Sequence, residues 1–174
     1  MNTKAIIIII LVIILAAGGI YIAVNSTNTG NQNLGQNTNQ NTNQNNNNLE
    51  SGKILNLSNQ GMTSVPMNIF DQTNLTELNL SGNNLTGALP SQVQKLQNLT
   101  ILNLSNNKFT GVPAEVGQLK KLLVLDLSNN QLTGLPNEIG NLTQLQTLNV
   151  SGNNYSAQDL QKIVSTLPNT QIIK

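Results

Sequence analysis

The sequence predicts an α/β repeat solenoid of about five repeats, preceded by a single N-terminal transmembrane helix. Its parallel strands are expected to line a concave face, and a helix is expected to cap its C-terminal end. Three observations support this: a four-residue segment recurs five times, an apolar run opens the chain, and an Asn- and Gln-rich tract separates the two. The expected boundaries are a transmembrane segment at 1–24, a disordered linker at 25–48 and a repeat domain at 49–174.

The apolar run extends from Ala5 to Val24 without a charged residue, directly after Lys4. As an α-helix, about 20 residues span about 30 Å, which is the thickness of a bilayer core. Lys4 favours a cytoplasmic amino terminus, so the remaining chain is expected on the extracytoplasmic side as a single-pass membrane protein. The small residues at 16–18 also fit a signal-peptide cleavage site, and cleavage would make the protein secreted.

The tract at 25–48 consists almost only of Asn, Gln, Thr, Ser and Gly, with one leucine, Leu34. Such a composition buries too little apolar surface to offset the entropy of ordering the chain. A disordered stalk is therefore expected. The alternative is a self-associating segment, because Asn and Gln side chains can form amide ladders between chains.

The composition excludes several classes of function. The 174-residue chain has no His and no Cys, so zinc-finger sites, thiol catalysis and histidine acid–base chemistry are excluded. The formal net charge of +1 gives no field that would attract nucleic acid. We therefore expect no metal site, no cofactor and no nucleic-acid partner.

The recurring segment begins at positions spaced by 23, 24, 23 and 23 residues. Apolar residues alternate within it, which predicts a short strand with one buried side. An Asn lies three residues past the second apolar position in four copies, and its amide can bond the turns of adjacent repeats. The five segments are Leu55–Ser58, Leu78–Ser81, Leu102–Ser105, Leu125–Ser128 and Leu148–Ser151, and the expected structural ladder is Asn83, Asn107, Asn130 and Asn153.

The full pattern, L-x-x-L-x-L-x-x-N-x-L-x-x-L-P-x-x-I-x-x-L, resembles the leucine-rich-repeat family over about 120 residues. The resemblance implies a curved solenoid that uses its concave face as the ligand surface. The first copy departs from the pattern, since Gln60 replaces the ladder Asn, and is expected to act as a cap. At the other end, Ser156 is expected to begin a helix that closes the solenoid.

Residues that flank the buried leucines are expected to face the concave side in columns. Ile101 and Val124 could form a small apolar patch of the kind that marks partner sites, although the same residues also suit a strand. The polar columns could equally be solvated consensus positions. The candidate ligand-binding residues are Glu77, Ile101, Val124 and Thr147 in the first column and Asn79, Asn103, Asp126 and Asn149 in the second.

Catalysis is not expected. Glu77 and Asp126 could both project from the concave face, but they should lie about 12 Å apart, too far for a carboxylate pair acting on one bond. The sequence instead predicts a membrane-tethered, extracytoplasmic module that binds a protein in recognition or adhesion. Two alternatives remain: binding of surface polysaccharide, which a face without aromatic platforms disfavours, and a structural, self-assembling spacer.

Overall fold

The computed structural model describes residues 12–16, 19–23 and 52–174. The chain divides into two units, Met1–Leu49 and Glu50–Lys174. In the first unit, strands β1 (Val12–Ala16) and β2 (Gly19–Ala23) pair antiparallel. The transmembrane helix predicted for 1–24 is thus not shown, and the rest of that segment and the linker at 25–48 lie outside the described residues. Among the described residues, no helix has the length and apolar character needed to cross a membrane.

The second unit is built from short elements that repeat in a fixed order. Its main strands are β3 (Lys53–Asn56), β4 (Leu75–Asn79), β6 (Ile101–Asn103), β8 (Val124–Asp126), β9 (Thr147–Asn149) and β10 (Gln171–Ile173). A second pair of strands comprises β5 (Thr86–Ala88) and β7 (Lys108–Gly111). The return segments contain the 3-10 helices η1 (Met67–Asp71), η2 (Ser91–Lys95), η3 (Ala114–Gln118) and η4 (Asn137–Asn141), and the C-terminal α-helix is α1 (Ala157–Thr166).

The six main strands form one parallel sheet in the order β10-β9-β8-β6-β4-β3. Each strand pairs with the equivalent strand of the next repeat, so Leu78 lies opposite Leu102 and Leu102 lies opposite Leu125. The prediction of parallel strands, one from each repeat, is therefore confirmed. Apart from an irregularity between Lys53 and Ile54 in β3, the register is the same at each step, so equivalent residues of successive repeats form straight columns across the sheet.

Stacked leucines form the core. The inward leucines of β4, β6, β8 and β9 are all 0% exposed, and they are Leu78, Leu102, Leu125 and Leu148. No single repeat could bury these side chains alone, and stacking on neighbours supplies the missing contacts. In the first repeat, Leu55 is only half-buried, because among the described residues no strand pairs with the outer edge of β3.

The turn after each strand requires a left-handed backbone. Its φ is 56° at Asn59, 55° at Asn106 and 52° at Asn129, and 67° at both Gly82 and Gly152. Side chains rarely tolerate this conformation, and Asn and Gly tolerate it best. This explains why the position after the repeated Ser carries only Asn or Gly.

The return segments η3 and η4 pack closely. A Cβ atom placed on Gly117 of η3 would overlap the backbone oxygen of Glu138, which lies in η4. Lys120 supports the same contact, since its Nζ donates to the carbonyl oxygens of Gly117 at 2.8 Å and Asn141 at 3.0 Å. The small residue and the two hydrogen bonds of the lysine hold η3 and η4 close together.

Helix α1 closes the C-terminal end of the core, as predicted. Ser156 caps the helix, and its Oγ accepts a hydrogen bond from the backbone N–H of Gln158 at 3.2 Å. Leu160, Ile163 and Leu167 are buried in the continuous apolar core. The final strand β10 then pairs with β9 and extends the parallel sheet by one strand.

Candidate functional site

The eight predicted ligand-binding residues, together termed the strand face, lie side by side in two columns. In the first column Glu77 pairs with Ile101, and Val124 pairs with both Ile101 and Thr147. All four residues of this column are half-buried. The second column runs beside it in the same register and consists of Asn79, Asn103, Asp126 and Asn149.

The second column is tied into the turns that follow the strands. In Asn103 the side-chain Oδ1 accepts hydrogen bonds from the backbone N–H and the Oγ of Ser105, at 3.0 and 2.8 Å. Asp126 makes the same bonds to Ser128, at 2.9 and 2.7 Å. These are Asx-type turns, in which a short polar side chain replaces a backbone partner. The Ser two residues after each Asn or Asp was the available signal for them, and sequence reasoning missed it.

Each residue of the second column therefore has one polar atom left over. In the asparagines this atom is an Nδ2 donor, whereas in Asp126 it is Oδ2, a negatively charged acceptor. Asp126 is only 1% exposed, and its Oδ2 is buried without a hydrogen-bond partner in the described part of the chain.

Glu77 lies between aliphatic neighbours in the first column, with Ile54 on one side and Ile101 on the other. Partial burial removes water from its carboxylate, which raises the pKa of Glu77 above its ordinary value. Glu77 and Asp126 lie in different columns on strands separated by β6. In this placement the two carboxylates do not flank a common site, as a pair acting on one substrate bond would. The described residues also contain no group of acidic side chains able to hold a metal ion.

The ladder asparagines join adjacent repeats below the strand face. In Asn107 the Oδ1 accepts from the N–H of Leu85 at 3.1 Å, and the Nδ2 donates to the carbonyls of Leu80 at 2.9 Å and Leu104 at 3.1 Å. Leu80 and Leu85 belong to the preceding repeat, and Leu104 belongs to the same repeat as Asn107. Asn83, Asn130 and Asn153 make the equivalent bonds.

Gln60, which stands at the ladder position of the first repeat, shows how this arrangement ends. The side chain of Asn83 in the second repeat accepts from the backbone N–H groups of Gln60 and Met62, at 2.9 and 3.1 Å. The second repeat thus supplies the hydrogen-bond partner for the turn of the first repeat. That turn therefore forms although position 60 carries Gln instead of Asn.

Parallel strands, 3-10 return segments and one bridging asparagine per turn define a solenoid-forming repeat protein. A family model described as a leucine rich repeat matches residues 50–109 and 97–154. The chain belongs to the leucine-rich-repeat family, a fold that commonly acts as a scaffold for protein–protein binding.

Three solved structures illustrate the similarity. A leucine-rich-repeat protein of Leptospira interrogans is 35% identical, with 72% of this chain and 38% of that chain covered and a TM-score of 0.59. The ectodomain of the receptor kinase SOBIR1 from Arabidopsis thaliana is 32% identical, with 68% and 65% covered and a TM-score of 0.59. The plant peptide hormone receptor RGFR1, in complex with RGF2, is 38% identical, with 60% and 17% covered and a TM-score of 0.56.

The chain thus spans well under half the length of the Leptospira structure and about two thirds of the SOBIR1 ectodomain structure. The search of curated proteins found no match.

Replacing a ladder residue tests its structural role. Asn83→Ala leaves the N–H groups of Gln60 and Met62 and the carbonyl of Leu57 without their partner, so we expect a loss of about 2–4 kcal/mol in unfolding free energy. The neighbouring Asn84→Ala is the matched control, because Asn84 is exposed and should change stability by less than about 0.5 kcal/mol. Urea unfolding followed by circular dichroism measures both, and equal effects would contradict the assigned role.

The pKa of Glu77 predicts a pH-dependent stability difference. The folded state raises this pKa above the ordinary 4.5, so folding favours the protonated carboxyl group. Glu77 therefore contributes to the free energy of unfolding at low pH, and this contribution is lost as the pH rises through the pKa of the folded state. We expect Glu77→Gln to unfold at higher urea than the native protein at about pH 7, with the gap closing below pH 4.5. The exposed Glu138→Gln is the control, and a gap that is independent of pH would refute the assignment.

Proposed function

We propose that this chain is a membrane-tethered, extracytoplasmic leucine-rich-repeat module that binds a protein or peptide through its strand face. The observation that carries the proposal is the pairing of Ile101 with Val124 on adjacent strands, where both side chains remain partly exposed. Ile54, which is 50% exposed, continues this aliphatic column beyond Glu77. Clustered exposed apolar side chains with polar neighbours are typical of partner-binding surfaces.

Family membership supports this proposal, since the repeat commonly serves as a binding scaffold. The similarity to RGFR1, which was solved in complex with RGF2, adds an example in which the related protein holds a peptide hormone. The SOBIR1 similarity adds the repeat ectodomain of a receptor kinase. Neither comparison names a ligand for this chain.

Polysaccharide binding is the weaker alternative. Sugar rings usually stack on aromatic side chains, and the strand face contains only aliphatic, amide, hydroxyl and carboxylate groups. The two phenylalanines of the chain, Phe70 and Phe109, are both buried in the core. The Oδ1 atoms of the second column already accept hydrogen bonds from the turns that follow their strands. Fewer polar groups are therefore left to bind sugar hydroxyls.

Affinity capture tests the binding proposal. The full chain, purified in mild detergent, serves as bait against extracts of the producing cells and of neighbouring cells. Ile101→Glu places a charge in the aliphatic column and should lower retention of a partner at least about tenfold. Thr110→Glu, on the exposed side of β7, is the matched control and should retain the partner like the native chain. Equal retention by both folded variants, or no retained protein, would count against a strand-face binder.

The tether is proposed from the apolar run between Ala5 and Val24, with Lys4 on the cytoplasmic side. A chain with a C-terminal epitope tag should stay in the membrane pellet after alkaline carbonate extraction. External protease should remove the tag from intact cells. A shortened protein in the medium would support the cleaved-signal alternative, and a tag that is protected in intact cells would contradict the proposed orientation.

A further inference from the structure

We infer that one side of the repeat domain docks on an anionic membrane surface through four exposed lysines. These residues are termed the basic rim, and they are Lys53, Lys95, Lys120 and Lys121. The inference rests on the proposed membrane tether, because it adds a second contact between the chain and the same membrane. The basic rim holds half of the eight basic residues in a chain whose formal net charge is only +1.

All four lysines lie where a 3-10 helix leads into the next strand. Lys53 begins β3, and its Nζ donates to Oε1 of Gln72, the residue directly after η1, at 2.6 Å. Lys95 ends η2, and its Nζ lies 3.1 Å from Oδ1 of Asp71, which ends η1. Adjacent strands of a sheet are about 4.8 Å apart, so lysines from consecutive repeats lie side by side on this rim.

The two remaining lysines follow η3. Lys121 donates from Nζ to Oδ1 of Asn98 in the preceding repeat at 2.8 Å. Lys120 donates to the carbonyl oxygens of Gly117 and Asn141, the second of which ends η4 in the following repeat. These hydrogen bonds hold the ammonium groups on the rim, and they extend it across four repeats.

The basic rim keeps a positive charge because most of its partners are neutral. In the described part of the chain, Lys53, Lys120 and Lys121 donate to amide or backbone oxygens, and Lys95 meets the acid Asp71. Four lysines against one acid leave a charge of +3 on this side of the domain. The other described acids lie elsewhere: Glu77 and Asp126 on the strand face, Glu115 and Glu138 in the first turns of η3 and η4, and Asp159 in α1.

A flat anionic bilayer suits the basic rim better than a single phosphate group, because the ammonium groups are spread over exposed segments. Each lysine close to a surface of anionic lipid strengthens binding about fivefold, and clusters of four or more lysines are typical of lipid-binding surfaces. The position of the chain entry favours the same partner. The described repeat domain begins at Gly52, directly before Lys53, so the chain that carries the proposed tether joins the domain at the basic rim.

Docking by the basic rim leaves the strand face accessible. The lysines precede the strands or stand at the start of β3, whereas the strand-face residues lie within β4, β6, β8 and β9. A membrane contact and a protein contact can therefore form at the same time.

Fluorescence quenching tests the inference on the full chain reconstituted in vesicles. The chain has no cysteine, so Thr143→Cys places a single dye beside the basic rim, and Asn84→Cys places one on the opposite side, in the turn after β4. The vesicles carry a quencher on a lipid headgroup and consist of phosphatidylcholine alone or with about one third phosphatidylglycerol. The anionic lipid should increase quenching at position 143 and not at position 84, and about 0.5 M sodium chloride should abolish the increase. Equal quenching at position 143 in both lipids would overturn the inference.

Two double variants separate the basic rim from net charge. Lys53→Gln with Lys121→Gln should weaken docking about 25-fold and remove most of the added quenching at position 143. Lys108→Gln with Lys162→Gln removes the same charge from β7 and α1 and should keep the added quenching. If both pairs keep it, or both lose it, the lysines of the rim are not the contact and the inference fails.

Flotation of the same samples distinguishes this inference from the proposed tether. If the chain floats with neutral vesicles and its dye at position 143 does not respond to anionic lipid, the tether stands and this inference fails. If the chain floats only with anionic vesicles, and Lys53→Gln with Lys121→Gln prevents this, the tether fails and the inference stands. A chain that floats with neither kind of vesicle overturns both.

Discussion

The structure depends on one requirement: the backbone groups of each turn, enclosed between stacked repeats, need a side chain that both donates and accepts. Asparagine meets this requirement, and Asn107 bonds one N–H and two nearby carbonyls that belong to two repeats. Because the bridging residue must recur at the same place, it fixes where each strand ends relative to the next strand. The common register of the sheet, and with it the straight columns of the strand face, follows from that geometry.

The same requirement leaves little of the strand face free to vary. The second column uses one atom of each side chain to complete a turn, so only the remaining atom and the residues of the first column can be specialised. Function is therefore expected where this chain departs from its own repeat. In the first column Glu77 is the one acid among aliphatic residues and a threonine, and in the second column Asp126 is the one acid among asparagines.

Much of the repeat domain could be predicted from sequence, because periodic spacing reports which residues meet in a stacked fold. The parallel strands, the C-terminal helix and the alignment of Glu77 with Ile101 all follow from that period. The burial of Asp126 and the raised pKa of Glu77 could not be predicted, since both depend on side chains supplied by neighbouring strands. The pairing of β5 with β7 was also missed, because a segment such as Thr86-Gly87-Ala88 lacks the apolar alternation of a strand. The N-terminal helix stays a prediction.

The ladder also gives the array a direction, because the asparagine of each repeat completes the turn of the repeat before it. A duplicated repeat added ahead of the first one would find Gln60 in place of the bridging asparagine, so growth at that end needs a change at one residue. Growth at the other end must displace helix α1, which follows the last turn directly and has Ser156 as its N-cap. Lengthening by gene duplication is therefore easiest between existing repeats, where each new copy brings its own asparagine and receives one from its successor.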